Sequence, residues 1–146
     1  MSSLEDLLAD VQSELVDVCL EYVGDTASDI FVYASMENGT LFFDPFFVVQ
    51  GELVAKSKVP GVDTSIPRQK SLVNFGTAQL KRLSDGCTEL GVAIPTQLKL
   101  HYSAETRSLD SDFVYTPQYS NDTSLHNIDL SKKWQSEVQS RLGDDR

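Results

Sequence analysis

The sequence predicts an α+β domain: helix, three-strand antiparallel meander, helix, two-strand hairpin, helix, with the helices mainly on one face of the sheet. Three observations predict it. Apolar residues recur at helical spacing near both ends and in the middle of the chain. Two segments alternate apolar and polar residues on either side of a turn signal. The strands also come in hairpin-linked runs with helices between the runs, which favours an antiparallel sheet over parallel crossovers. At 146 residues a single domain spanning 1–146 is expected, large enough to bury a core without disulfides.

The first helix rests on Leu4, Leu7, Leu8, Val11, Leu15, Val18, Cys19 and Tyr22, with Ser2 and Glu5 as a capping box and Gly24 as the stop. Asp29 to Met36 then alternates as a strand, Asn38-Gly39 is a strong two-residue hairpin turn, and Thr40 to Val49 returns. Gly51 permits a turn into a third strand, Glu52 to Lys58, before a loop containing Pro60, Gly61, Asp63 and Pro67. From Ser71 to Leu90 the set Val73, Leu80, Leu83, Cys87 and Leu90 predicts a helix, ended by Gly91 and Pro95. Gly76 falls on the same face, which fits either a close approach to the sheet or a break near Gly76 or Gly86.

A second hairpin follows. Leu98, Leu100 and Tyr102 alternate with Lys99 and His101, and Leu109, Phe113 and Tyr115 alternate with Asp110 and Asp112. A symmetric loop around Glu105-Thr106 sets Lys99 opposite Asp112 and His101 opposite Asp110. Gln118 to Asn127 reads as a polar loop. Ser131 is the expected cap of a short last helix carrying Trp134, Val138 and Leu142 and closed by Gly143.

Period-two alternation through the Asn38-Gly39 turn divides the first hairpin into two faces. Ile30, Val32, Ala34, Met36, Leu41, Phe43 and Phe47 share the core face; Phe31, Tyr33, Phe42, Asp44, Phe46 and Val48 share the other. That second face is too apolar for water. Two arrangements satisfy it: a cover from the last helix or the Gln118 to Asn127 loop, or an interface for another chain. Pro45 lacks an N–H and suits an edge position or a bulge.

Charge is lopsided. Residues 1–55 hold 11 acids and no Lys or Arg, and residues 56–146 hold 11 acids and 12 bases, so the net charge of -10 divides as -11 and +1. Such a field repels nucleic acid and anionic lipid; it serves either solubility or encounter with a basic partner. The longest apolar run, Leu41 to Val49, is interrupted by Asp44 and is too short to span a bilayer. An acidic N-terminus unlike a signal peptide leads to the expectation of a cytoplasmic protein. Cys19 and Cys87 then read as free, half-buried thiols in a reducing compartment.

Chemistry finds little support. His101 and His126 lack ligands at zinc-type spacing, and no phosphate loop, nucleophile elbow or HExxH pattern occurs. Strand alternation opposite Lys99 and His101 accounts for Asp110 and Asp112 without an acid/base role. No enzyme, metal or cofactor is therefore expected. The candidate partner-binding residues are Asp10, Glu14, Asp17 and Glu21 on the first helix and Phe31, Tyr33, Phe42, Asp44 and Phe46 on the hairpin.

The element order, the hairpin DIFVYASMENGTLFFDPFF, the segment PTQLKLHYSAETRSLDSDFVY and a Trp-bearing last helix resemble the YezG-like immunity proteins, with Pro95, Tyr102, Leu109, Phe113, Tyr115 and Trp134 as fixed points. That resemblance implies an acidic antitoxin that neutralises a cognate bacterial toxin, often a nuclease, by direct binding and without catalytic residues. The same order resembles type III secretion chaperones, which hold an effector segment in extended form. Both imply a partner protein, for which the charge predicts a basic surface, and no direct contact with nucleic acid or membrane; a monomer and a homodimer both remain open.

Overall fold

The computed structural model describes residues 3–144. The first apolar stripe folds as α1 (Leu4–Val23), because Val11, Leu15, Val18, Cys19 and Tyr22 return to one side every third or fourth residue. Its capping box is made by Ser3 and Asp6: the Ser3 hydroxyl accepts from the Asp6 N–H at 3.1 Å, and the Asp6 carboxylate accepts from the Ser3 N–H at 3.4 Å. Ser2, expected in that role, lies outside the described residues.

Strands β1 (Asp29–Glu37) and β2 (Thr40–Val49) form the expected hairpin, with Asn38 and Gly39 both left-handed at φ 51° and 75°. That is the turn whose twist matches paired strands. Gln50 and Gly51, at φ 53° and 80°, repeat it and lead into β3 (Glu52–Ala55). β3 is shorter than the predicted Glu52 to Lys58. After Ala55 the chain leaves the ladder in a 3-10 turn, Lys56–Lys58, where the Tyr22 hydroxyl donates to the Lys56 carbonyl at 2.7 Å.

The middle helix, α2 (Ile66–Leu90), starts earlier than the predicted Ser71 and runs unbroken past Gly76 and Gly86. Pro67, expected in the loop, occupies the first turn, where a backbone N–H has no partner within the helix and proline is tolerated. The buried stripe is Leu72, Gly76, Leu80, Leu83 and Cys87. Val73 is half-buried and Leu90 is 41% exposed, so neither holds the core position the sequence assigned to it.

Strands β4 (Gln97–Ser103) and β5 (Ser108–Val114) pair with Lys99 opposite Asp112 and His101 opposite Asp110, the register a symmetric loop predicts. The last helix, α3 (Asn127–Asp144), begins before Ser131 and continues through Gly143. Ser131 is therefore not its cap but a fully buried residue within it.

All five strands are antiparallel, in the order β3-β2-β1-β4-β5. α1 and α2 pack on the face that presents Ile30, Val32, Ala34, Met36, Phe43, Phe47, Leu98 and Leu100. α3 packs on the opposite face, so two helices share one side and the third takes the other. β3 begins to pair with β2 at Phe46, and Pro45 stands at the step where β2 has no outer neighbour. The expected edge setting for that proline is met.

Cys19 and Cys87 are both fully buried rather than half-buried, and burial raises both thiols above their ordinary range. Neither is poised as a thiolate.

Candidate functional site

On α1 the outward positions Asp10, Glu14, Asp17 and Glu21 follow one another at intervals of three or four residues, which aligns them along one side of the helix. The helix itself carries no base, yet α2 supplies two. Arg82 Nη2 lies 3.3 Å from the Asp10 carboxylate. Arg68 reaches Glu21 twice, at 3.5 Å to the carboxylate and 2.9 Å to the carbonyl, while its guanidinium sits 5.5 Å from the Tyr22 ring centre. Such exposed pairs contribute about 0–1 kcal/mol each and neutralise only the ends of the stripe. Among the described residues Glu14 and Asp17 have no ion pair within 4.0 Å.

The hairpin aromatics have a different fate. Phe31, Tyr33 and Phe46 are buried beneath α3, in a second core with Val48, Trp134 and Val138. Phe31 stacks on Phe46 at 5.1 Å, and Trp134 meets both rings edge-on at 5.5 and 5.1 Å. These geometries fit the ring quadrupoles. The Tyr33 hydroxyl donates to Gln97 Oε1 at 3.0 Å, and burial raises its pKa. Phe42 and Asp44 are half-buried at the rim. Asp44 accepts from Ser131 at 2.5 Å and Gln135 at 3.4 Å, with Lys56 at 3.9 Å. Of the two arrangements open to this face, the last helix covers it. The five hairpin candidates thus fasten α3 to the sheet and do not share a surface with the α1 acids.

The Gln118 to Asn127 loop closes the same face at the far end of β1, where the Ser35 and Tyr119 hydroxyls lie 3.5 Å apart. Glu37 is 3% exposed and accepts from the backbone N–H groups of Gln118, Tyr119 and Ser120 at 3.0, 3.5 and 3.1 Å. Burial pushes its pKa up, but the hydrogen bonds from Ser120, Gln118 and Tyr119 outweigh that and leave it lowered.

Beside α3 the sheet is open. A cleft of about 340 Å³ lies between α3 and the β4–β5 hairpin, with Lys99, His101, Asp110, Asp112, Glu137 and Arg141 around it. The cross-strand register holds, but the expected charge pairing does not form. His101 Nε2 lies 2.7 Å from Asp29 Oδ1, and its ring stacks on Phe31 at 4.2 Å. Lys99 Nζ stands 5.4 Å from the Trp134 ring centre. Asp110 and Asp112 are exposed and, among the described residues, have no ion pair within 4.0 Å. Sequence reading assigned these acids to local pairing because it placed β5 beside β4 but could not see β1 and α3 drawing the cations away.

A wider hollow, about 790 Å³, lies along the α1–α2 seam, where Leu7, Lys81, Arg82, Asp85, Gly86 and Leu90 mix both charges with apolar surface. Among the described residues no group of three or more His, Cys, Asp and Glu is placed to hold a metal ion, and no helix is long and apolar enough to cross a membrane. No protein-family model matches the chain, and no curated protein matches it either.

Proposed function

We propose that this chain is an immunity protein that neutralises a cognate toxin domain by direct binding, without catalysis of its own. The charge distribution carries the reading: the first 55 residues hold 11 acids and no Lys or Arg. Among the described residues, the two α2 arginines leave the middle of the α1 stripe, Glu14 and Asp17, without an ion pair. A basic surface, such as one that contacts nucleic acid in a nuclease, complements that field. Occupying such a surface excludes the substrate sterically and electrostatically even when the toxin's reacting groups are not touched.

The second reading, a secretion chaperone, is favoured by the open β5 edge, since an extended effector segment is a strand in need of a partner. Capture of the partner from the native cell, followed by limited proteolysis of the complex, separates the two. The immunity reading expects a folded basic domain whose toxicity ceases on binding. A partner held as a protease-sensitive extended segment makes the chain a chaperone, and a partner without a basic surface sinks the electrostatic basis of both.

A further inference from the structure

We propose that the free edge of β5 docks an extended basic strand of the partner protein, whose alternate Lys or Arg side chains meet Asp110 and Asp112. This rests on the reading of the chain as a binder of a basic protein and adds where and in what form the partner engages.

β5 ends the sheet, and Ser108 through Asp112 are exposed. Alternate residues of an antiparallel edge strand turn N–H and C=O groups away from their neighbour, which is a template for another strand. Protein edges are commonly blunted by lysine, proline or a bulge. β5 has none of these from Ser108 to Val114 and continues its register with β4 without interruption. Its charges are two acids two residues apart, both on the α3 face, with Leu109 and Phe113 on the other. The cations opposite them are engaged with Asp29 and Trp134, so the acids remain available.

The alternation selects the occupant. Antiparallel pairing of β5 with a second copy about Ser111 sets Asp110 against Asp112 of that copy. Moving the register by two residues sets an acid against itself, and moving it by one sets one acid against Leu109 or Phe113 and the other against Ser111. Like charges directly opposite are destabilising, so self-association along this edge is disfavoured. A strand with Lys or Arg at alternate positions removes that conflict. Its basic side chains on the α3 face reach the cleft of about 340 Å³, where the three carboxylates of Asp110, Asp112 and Glu137 outnumber Lys99 and Arg141.

The test uses the full chain and a short fluorescent peptide of alternating Lys and Val, with a Glu–Val peptide as control. The Lys–Val peptide is expected to bind at low salt and to slow amide exchange in β5. Asp110→Lys with Asp112→Lys, both at exposed positions, is expected to weaken it by about tenfold or more and to create affinity for the Glu–Val peptide. Circular dichroism establishes that the variant is folded. Unchanged affinity in the variant, protection confined to α1, or no binding of the Lys–Val peptide overturns the edge proposal. None of these touches the broader reading, which fails instead if the native partner carries no basic surface.

Discussion

The ring of Phe43 occupies the space in which residue 76 would carry a Cβ: a methyl on Gly76 would overlap Phe43 Cδ2 and the ring carbons beside it. β2 and α2 meet at this point, and Phe43 is 3% exposed, so the ring has no open side into which to retreat. Gly76→Ala gains about 1 kcal/mol of helix propensity but overpacks the core at a cost of about 1–3 kcal/mol, and net destabilisation is expected in urea unfolding. Phe43→Leu in the same chain should recover part of that loss, giving a coupling energy in a double-mutant cycle.

Gly86→Ala provides the contrast. The nearest atom to its added methyl is Leu7 Cδ2 at 2.5 Å, the far end of a half-buried, flexible side chain that can rotate away. Helix propensity then offsets most of the repacking, and stability is expected to stay within about 0.5 kcal/mol of the parent.

Trp134 is the chain's one tryptophan and is 7% exposed, at the centre of the α3 contact. Trp134→Ala is expected to cost about 3–5 kcal/mol of α3 docking. The core between the sheet and α1–α2 does not include Trp134. The loss should therefore appear first as rapid amide exchange in α3 and dye binding to Phe31 and Phe46, with β1 amides still protected. Asp44→Asn, which weakens the acceptor for Ser131 and Gln135, should shift the same exchange by a smaller amount, about 1–3 kcal/mol. Simultaneous loss of protection in β1 and α3 would show that the two cores unfold as one.

The alternation of β1 and β2 and the Asn38-Gly39 turn were legible because a strand's period is two and a left-handed turn has few eligible residues. They placed Phe31, Tyr33 and Phe46 on one face correctly. What covers that face was not decidable locally, since a buried aromatic row and an interface row read alike. Leu72 and Val73 are adjacent apolar residues about 100° apart on a helix, and only packing against the sheet selects Leu72. The start of α3 was missed although Leu130 continues the four-residue spacing of Trp134, Val138 and Leu142, because Ser131 offered itself as a cap and hid that first turn. Lys99 and His101 were misassigned for another reason: hairpin logic pairs β4 with β5, whereas His101 bonds to Asp29 through the β1–β4 pairing, a contact between segments distant in sequence. The acids left over on β5 follow from that long-range pairing.

Glu37 makes the attachment of the polar loop pH-dependent. Its folded pKa is lowered from 4.5. The associated stabilisation is thus fully present above 4.5 and is lost as pH falls through the lower folded value. Glu37→Gln leaves a single acceptor oxygen for the N–H groups of Gln118, Tyr119 and Ser120, and is expected to cost about 1–3 kcal/mol at neutral pH. The variant should be cleaved faster between residues 116 and 126 and should lose part of the acid-side fall in stability. An unchanged stability-against-pH curve would remove Glu37 as its source.

The acidic stripe on α1 makes an opposite-sign prediction for association. Glu14→Gln with Asp17→Asn removes two charges without breaking an ion pair among the described residues, since Asp10 keeps Arg82 and Glu21 keeps Arg68. Stability should therefore change by no more than about 0.5 kcal/mol. Encounter with a basic partner is governed by the summed field within roughly a Debye length, about 8–10 Å at ordinary salt. Binding should therefore slow severalfold at low ionic strength and show a flatter dependence of on-rate on salt. Arg82→Gln alters the same surface in the other direction: it removes a positive charge beside Asp10, strengthens the negative field and should speed association. Stopped-flow measurements of both variants against the captured partner, across a salt series, check the pair. Rates that move together, or do not move, would mean that α1 neither steers nor contacts the partner, and recognition would then be confined to other surfaces such as the β5 edge.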